Sequence, residues 1–146
     1  MKIGELAART DCAVETIRYY EREGLLPAPR RSAGNYRQYS EAHLERLVFI
    51  RNCRLLDMTL EEIRQLLSLR EQPEATCGSV NGLIDEHIEH VGQRIAALTH
   101  LQQQLVELRR QCRAPHPMDA CGIIQQLGTS GSVQPPEEDS HVGHSH

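Results

Sequence analysis

The apolar residues of this chain fall at helical spacing from its first turn onward. Ile3, Leu6 and Ala7 share one face of a short helix, and Val14, Ile17 and Tyr20 share one face of the next. Thr10-Asp11-Cys12 interrupts the run between them, and Asp11 is placed to cap the second helix. Two short helices joined by a tight turn form the helix-turn-helix pattern. Gly24 ends the second helix, with Pro27 and Pro29 beyond it as breakers. The stretch Arg30 to Tyr39 carries a Gly34-Asn35 turn flanked by Arg and Tyr, which predicts a short hairpin, or wing. Ser40 then caps a third helix with Glu41 in its first turn and Leu44, Leu47, Val48 and Ile50 as its apolar positions. Thr59 and Glu62 make a capping box for a fourth helix that carries Ile63, Leu66 and Leu67.

The pattern changes after residue 78. From Ser79 to about Arg113 the apolar positions run Ile84, Ile88, Val91, Ile95, Leu98, Leu101, Leu105, Leu108, in steps of three and four. That is a heptad seam sustained over a long helix that no proline interrupts. Asp85, Glu86 and Glu89 near its start and Arg109, Arg110 and Arg113 near its end match the helix dipole. A lone helix cannot bury such a stripe. Too little chain remains to cover it, so the expected partner is the same helix of a second protomer. From Ala114 onward the periodicity is lost, and residues 128–146, rich in Ser, Gly and Pro, read as disordered. The fold expected is mainly α: a winged helix-turn-helix DNA-binding domain over residues 1–70, a linker and long antiparallel coiled-coil dimerisation helix over 71–113, a short metal-binding loop and helix over 114–127, and a His-containing tail over 128–146.

Charge alters the picture that the net value paints. The 146 residues sum to −4, which argues against a nucleic-acid partner. Residues 1–54, however, hold ten Lys and Arg against seven Asp and Glu, a net of +3, and the remainder carries −7. All five aromatics, Tyr19, Tyr20, Tyr36, Tyr39 and Phe49, lie in that basic part. A basic, aromatic front and an acidic back indicate two tasks on one chain. Apolar runs fall far below the ~18 residues that a membrane span needs, and the first residues lack the apolar segment of a secretory signal. Those features predict a cytoplasmic chain with no membrane partner. In that compartment the five cysteines stay reduced, as core filler, metal ligands or redox groups.

Ile3-Gly4-Glu5-Leu6-Ala7, then Val14-Glu15-Thr16-Ile17-Arg18-Tyr19-Tyr20-Glu21 and Gly24-Leu25-Leu26, closely resemble the MerR family of transcriptional regulators, and Asn35-Tyr36-Arg37-Gln38-Tyr39 is similar to that family's wing. The resemblance extends over about residues 1–124. Cys77 with Cys112 and Cys121, and the stretch Asp85 to Val91, are similar to its cadmium- and lead-responsive branch. The eight residues between Cys112 and Cys121 are closer to the lead type, whereas the helix around Asp85 and the His-rich tail are closer to the cadmium type. The resemblance implies a homodimer on a palindromic operator, inside a promoter whose −35 and −10 elements are too far apart for RNA polymerase. The metal-free dimer would repress, and the metal-bound dimer would distort the DNA so that polymerase can start.

In a helix-turn-helix the second helix enters the major groove. Its outer face presents Thr16, Arg18, Tyr19 and Arg22, with Arg18 the best reader of a guanine edge. Tyr20 is expected in the core. Arg31, Asn35, Tyr36 and Arg37 of the wing are suited to clamping phosphates. For metal, Cys77, Cys112 and Cys121 stand in polar, Gly- and Pro-rich surroundings, whereas Cys12 and Cys53 read as filler. Cys77 and Cys112 are 35 residues apart, ~50 Å along a continuous helix. One straight chain cannot join them. An antiparallel dimer sets the start of one helix beside the end of the other, so Cys77 of one protomer meets Cys112 and Cys121 of its partner. Three thiolates suit Cd(II) or Pb(II) as the inducer, with Zn(II) or Hg(II) as the alternative. His87 and His90, with His141, His144 and His146 of the tail, are candidates for a second, weaker site, while His43, His100 and His116 read as surface residues. Three competing readings lack their signals. A zinc enzyme would show a His-Glu-x-x-His type motif, an organic-ligand regulator would carry a larger C-terminal domain, and a thiol-based redox sensor would have closer cysteines.

Overall fold

The structure, a computed structural model, describes residues 1–135. Helices α1 (Ile3–Thr10) and α2 (Val14–Arg22) are followed by a two-stranded hairpin, β1 (Arg30–Arg31) and β2 (Arg37–Gln38), then by α3 (Glu41–Leu55) and α4 (Leu60–Arg70). The long helix α5 runs over Cys77–Arg109, and a 3-10 turn at Met118–Ala120 leads into the short α6 (Gly122–Leu127). Two compact units divide this chain, Met1–Leu83 and the segment from Ile84 onward. Among the described residues no helix is long and apolar enough to cross a membrane.

The first unit is built where helix caps and turns direct it. Asp11 does not cap α2; it closes α1 in the left-handed region at φ 53°, and α2 starts at Val14 after Ala13, which supplies no side-chain cap. An Asp tolerates that backbone better than most residues because its short polar side chain bonds locally. Gly24, at φ +75°, ends α2 and turns the chain back, with the Leu25 N–H donating to the Tyr20 carbonyl at 2.9 Å. That reversal buries Leu25 and Leu26 beside Leu6, Ile17, Leu47 and Ile50, on which α1 packs against α2 and α3. Each such side chain contributes roughly 1.5–3 kcal/mol on leaving water. Tyr20 is buried as expected, but Val48 is exposed, and the core face of α3 ends instead on Cys53.

The hairpin pairs Arg30 with Gln38 and Arg31 with Arg37, antiparallel. Asn35 supplies the positive φ that its turn demands, 64°, and its N–H donates to the Ser32 carbonyl at 2.8 Å. The other two predicted caps form: Thr59 Oγ1 accepts from the Glu62 N–H at 3.1 Å, and Glu62 Oε1 from the Thr59 N–H at 2.9 Å. At Ser40 the reciprocal partner is His43, whose Nδ1 accepts from the Ser40 N–H at 3.1 Å. His43 is therefore not a surface residue. Its Nε2 lies 3.1 Å from the Pro27 carbonyl, and the ring is buried edge-on to Tyr39 at 5.3 Å.

Tyr39 fastens the hairpin to α2 by donating its hydroxyl to Glu21. Burial, then the Glu21 carboxylate, push the phenol up to about 12 from its ordinary 10.0. A raised phenol favours the fold only while it keeps its proton. Its contribution is whole below pH 10.0 and is lost as pH climbs toward about 12. We expect Tyr39→Phe to flatten the alkaline limb of urea-denaturation stability over that range, at the cost of one hydrogen bond. An unchanged limb would assign the transition to another group.

In the second unit α5 continues to Arg109, four residues short of the expected Arg113. Its seam stays open to solvent. Ile88, Ile95, Leu98, Leu101 and Leu105 are between 45% and 62% exposed. Beyond α6, Gln104 reaches the returning chain with both ends of its amide, donating to the Gln134 carbonyl at 3.1 Å and accepting from the Gln134 N–H at 3.0 Å.

Candidate functional site

Two groups of chemistry-bearing side chains stand out, one in each unit. In the first, Arg18 and Arg22 lie one turn apart on α2 and face the hairpin. Together with Lys2, Ile3, Glu21, Arg31, Asn35, Tyr36 and Arg37 they line a cleft of about 550 Å³. Five cations and one carboxylate make its walls strongly positive within a chain of net charge −4. Glu21 is held by Tyr39. Arg31 Nη1 donates to the Asn35 carbonyl at 3.1 Å, which braces the turn that carries Tyr36. Four arginines elsewhere on this unit are occupied by carboxylates: Arg9 by Glu41, Arg46 by Glu71, Arg51 by Asp11 and Arg64 by Glu23.

Six of the eight residues expected to touch DNA thus line one cleft. Thr16 and Tyr19 do not; both are half-buried on α2, and the Arg22 guanidinium sits 5.9 Å from the centre of the Tyr19 ring. That stack orients Arg22 without needing Tyr19 in the groove. Lys2 was missed by the sequence pattern. Its Nζ lies 5.3 Å from the centre of the Tyr36 ring, joining the start of the chain to the wing. One signal was available: this is the single lysine among 146 residues that otherwise place their positive charge on arginine.

In the second unit the loop after α5 brings Cys112 and Cys121 together. Cys112 is half-buried, its thiol donates to the Ala114 carbonyl at 3.3 Å, and it is near enough to Cys121 to help lower that thiol. Cys121 directly precedes α6. The Ile124 N–H, with those of Ile123 and the Cys112 thiol, holds its thiol below the usual range. A sulfur that ionises readily beside a second one is a fitting donor pair for a soft divalent cation. Cys77 stands apart as the exposed first residue of α5, and a helix of 33 residues is ~50 Å long.

The other candidates divide as their surroundings dictate. Burial raises the Cys53 thiol, which suits a core residue, and Cys12 turns its sulfur to the Thr10 carbonyl at 3.6 Å. His87 is buried and His90 half-buried, one turn apart on α5. His100 and His116 are exposed, and His141, His144 and His146 lie outside the described residues.

Residues 1–69 match the MerR HTH family regulatory proteins, and residues 44–108 match the MerR DNA-binding family. The HTH-type transcriptional regulator ZntR homolog of Haemophilus influenzae is 52% identical over 109 residues, 75% of this chain and 81% of that one. The chain belongs to the MerR family of transcriptional regulators. A solved MerR-type neighbour is the transcription regulator PbrR691 of Ralstonia metallidurans in complex with lead(II), with 54% identity, a TM-score of 0.77, and coverage of 87% of this chain and 98% of that one. Another is the regulator MerR of Bacillus megaterium in complex with mercury(II), 32% identical, with a TM-score of 0.69 and coverage of 88% and 100%. The MerR assignment spans the head and most of α5, so the cleft falls within the family's HTH match.

Proposed function

We propose that this regulator is a homodimer that binds promoter DNA through the cleft of each head and activates transcription of heavy-metal resistance genes when Cd(II) or Pb(II) binds. Metal-free, it represses. The observation that carries this reading is the 33-residue α5, which keeps Cys77 a helix length away from the paired Cys112 and Cys121. Two such helices packed antiparallel through the exposed seam set Cys77 of one protomer beside Cys112 and Cys121 of the other. Two equivalent three-thiolate sites result, each spanning both chains. The seam burial that joins the helices is then the same event that completes the sites.

Cadmium or lead suits three sulfurs, and the 54% identical lead(II) complex supports that choice. Mercury(II) is the second reading, supported by the 32% identical regulator in complex with that ion. The bound ion supplies strong thiolate bonds across the dimer. Everything else is the work of the chain: α5 sets the spacing of the two heads, Arg18 reads a base edge, and Arg22, Arg31 and Arg37 with Asn35, Tyr36 and Lys2 hold phosphates. An ion that prefers one arrangement of the heads by a few kcal/mol shifts the dimer toward it, and DNA bent and untwisted to match becomes usable by RNA polymerase.

Mixed dimers test the shared site. Co-expressing a Cys77→Ser chain with a Cys112→Ser/Cys121→Ser chain, each with its own tag, should yield heterodimers that bind cadmium at half the wild-type stoichiometry with a wild-type charge-transfer band. Neither parent homodimer should do so. Heterodimers no better than their parents would sink the reading.

A further inference from the structure

The Cys112–Cys121 pair is formed by a close approach of two backbone segments rather than by side chains. Gly122, next to Cys121, lies against Gln111, next to Cys112. A Cβ built on Gly122 would stand 2.6 Å from the Gln111 carbonyl oxygen and 3.4 Å from both its carbonyl carbon and its Cβ. Nonbonded carbon and oxygen do not approach to 2.6 Å, and the obstacle is main chain, which no rotamer change can move aside. The Gln111 N–H is itself bonded to the Leu108 carbonyl at 3.0 Å, so this segment is tied to the last turn of α5. On the other side, the Cys121 carbonyl accepts from the Gln125 N–H at 3.1 Å, which ties Gly122 into α6. Neither strand of the contact can retreat without loosening a helix end.

We infer that Gly122 is the positioning residue of the metal-binding loop: because it has no side chain, α6 can seat against Gln111 and hold Cys121 beside Cys112. The inference rests on the proposed reading that these two thiols bind the inducing ion. It adds a residue that is not a ligand, and it separates the glycines at the two ends of α6. Gly128 is the contrast. It closes α6 at φ −80°, and a Cβ there would meet the Gln125 carbonyl at an ordinary 3.5 Å.

Dibromobimane tests the pairing without metal, because it becomes fluorescent only when both its arms have reacted with thiols that lie within a few ångströms. In the full-length dimer, peptide mapping should find the bridge between Cys112 and Cys121. Gly122→Ala should slow its formation at least tenfold, and Gly128→Ala should leave it unchanged. Cadmium affinity, read from the thiolate charge-transfer band, should fall at least tenfold in Gly122→Ala while operator affinity and helix content hold. Gly122→Ser places the same Cβ and repeats the measurement if the alanine variant accumulates poorly. Wild-type bridging in Gly122→Ala would overturn the inference whatever the metal does. Slowed bridging in a series whose wild type binds neither cadmium nor lead would leave Gly122 as the positioning residue and overturn the metal reading instead.

Discussion

Replacing Cys112 by Ser should leave the protein bound to its promoter and deaf to metal. Serine keeps the size and the hydrogen bond of the residue while removing the sulfur, and Cys112 lies beyond α5, outside the unit that carries the cationic cleft. The operator affinity should therefore stay within about twofold of wild type. Cadmium affinity should fall by more than ~100-fold, since losing a group that merely orients a metal ligand already costs roughly 10–100-fold. Cadmium-stimulated run-off transcription should vanish at concentrations that saturate the wild type. Full stimulation of Cys112→Ser by cadmium and lead would remove the thiolate site from the mechanism.

Leu101→Glu should take the dimer apart. Leu101 lies mid-seam, exposed in the single chain and buried only if a second helix covers it. In an antiparallel pair the substitution enters twice, and an unpaired buried charge costs several kcal/mol. A penalty of that size is about a thousandfold or more in the association constant. Sedimentation at micromolar concentration should show monomers, operator affinity should collapse with the loss of the second head, and the metal band should fade if each site, as proposed, draws on both chains. Gln103→Glu, on the opposite side of the helix, adds the same charge and should change little. A Leu101→Glu protein that sediments as a dimer would mean that the seam is covered by something else.

Short-range signals made most of the head legible. A cap and its reciprocal partner lie three residues apart, so Thr59 with Glu62 defines α4 from sequence alone, and the Gly34-Asn35 pair defines the hairpin because few residues accept a left-handed backbone. Where two uses of one residue compete, the pattern fails. Asp11 is equally suited to capping a helix start and to closing a helix end, and the backbone took the second option. His43 completes a capping box with an imidazole where Glu or Gln is the usual sign. Val48 follows helical period yet points outward, because the buried face of α3 runs His43, Leu47, Ile50, Cys53 and Val48 stands beside that line.

The sites divide in the same way. Six cleft residues are legible because one helix face and one hairpin display them, whereas Lys2 reaches the wing only through tertiary structure. Heptad spacing locates α5, but it runs on past the point where the chain must turn. The helix stops at Arg109 so that Gln111 and Cys112 can meet the returning loop. The approach of Cys121 to Cys112 across eight residues and two prolines has no local signature.

The solitary ε-amine over Tyr36 has a practical outcome for anyone handling the purified protein. Succinimide dyes, glutaraldehyde fixation and carboxyl-chip coupling all seek lysine, and here they would seek it on the wall of the cationic cleft proposed to hold the promoter. Material captured that way would look inert toward DNA for a reason unrelated to its folding, so biosensor work calls for tethering the oligonucleotide and flowing the regulator past it.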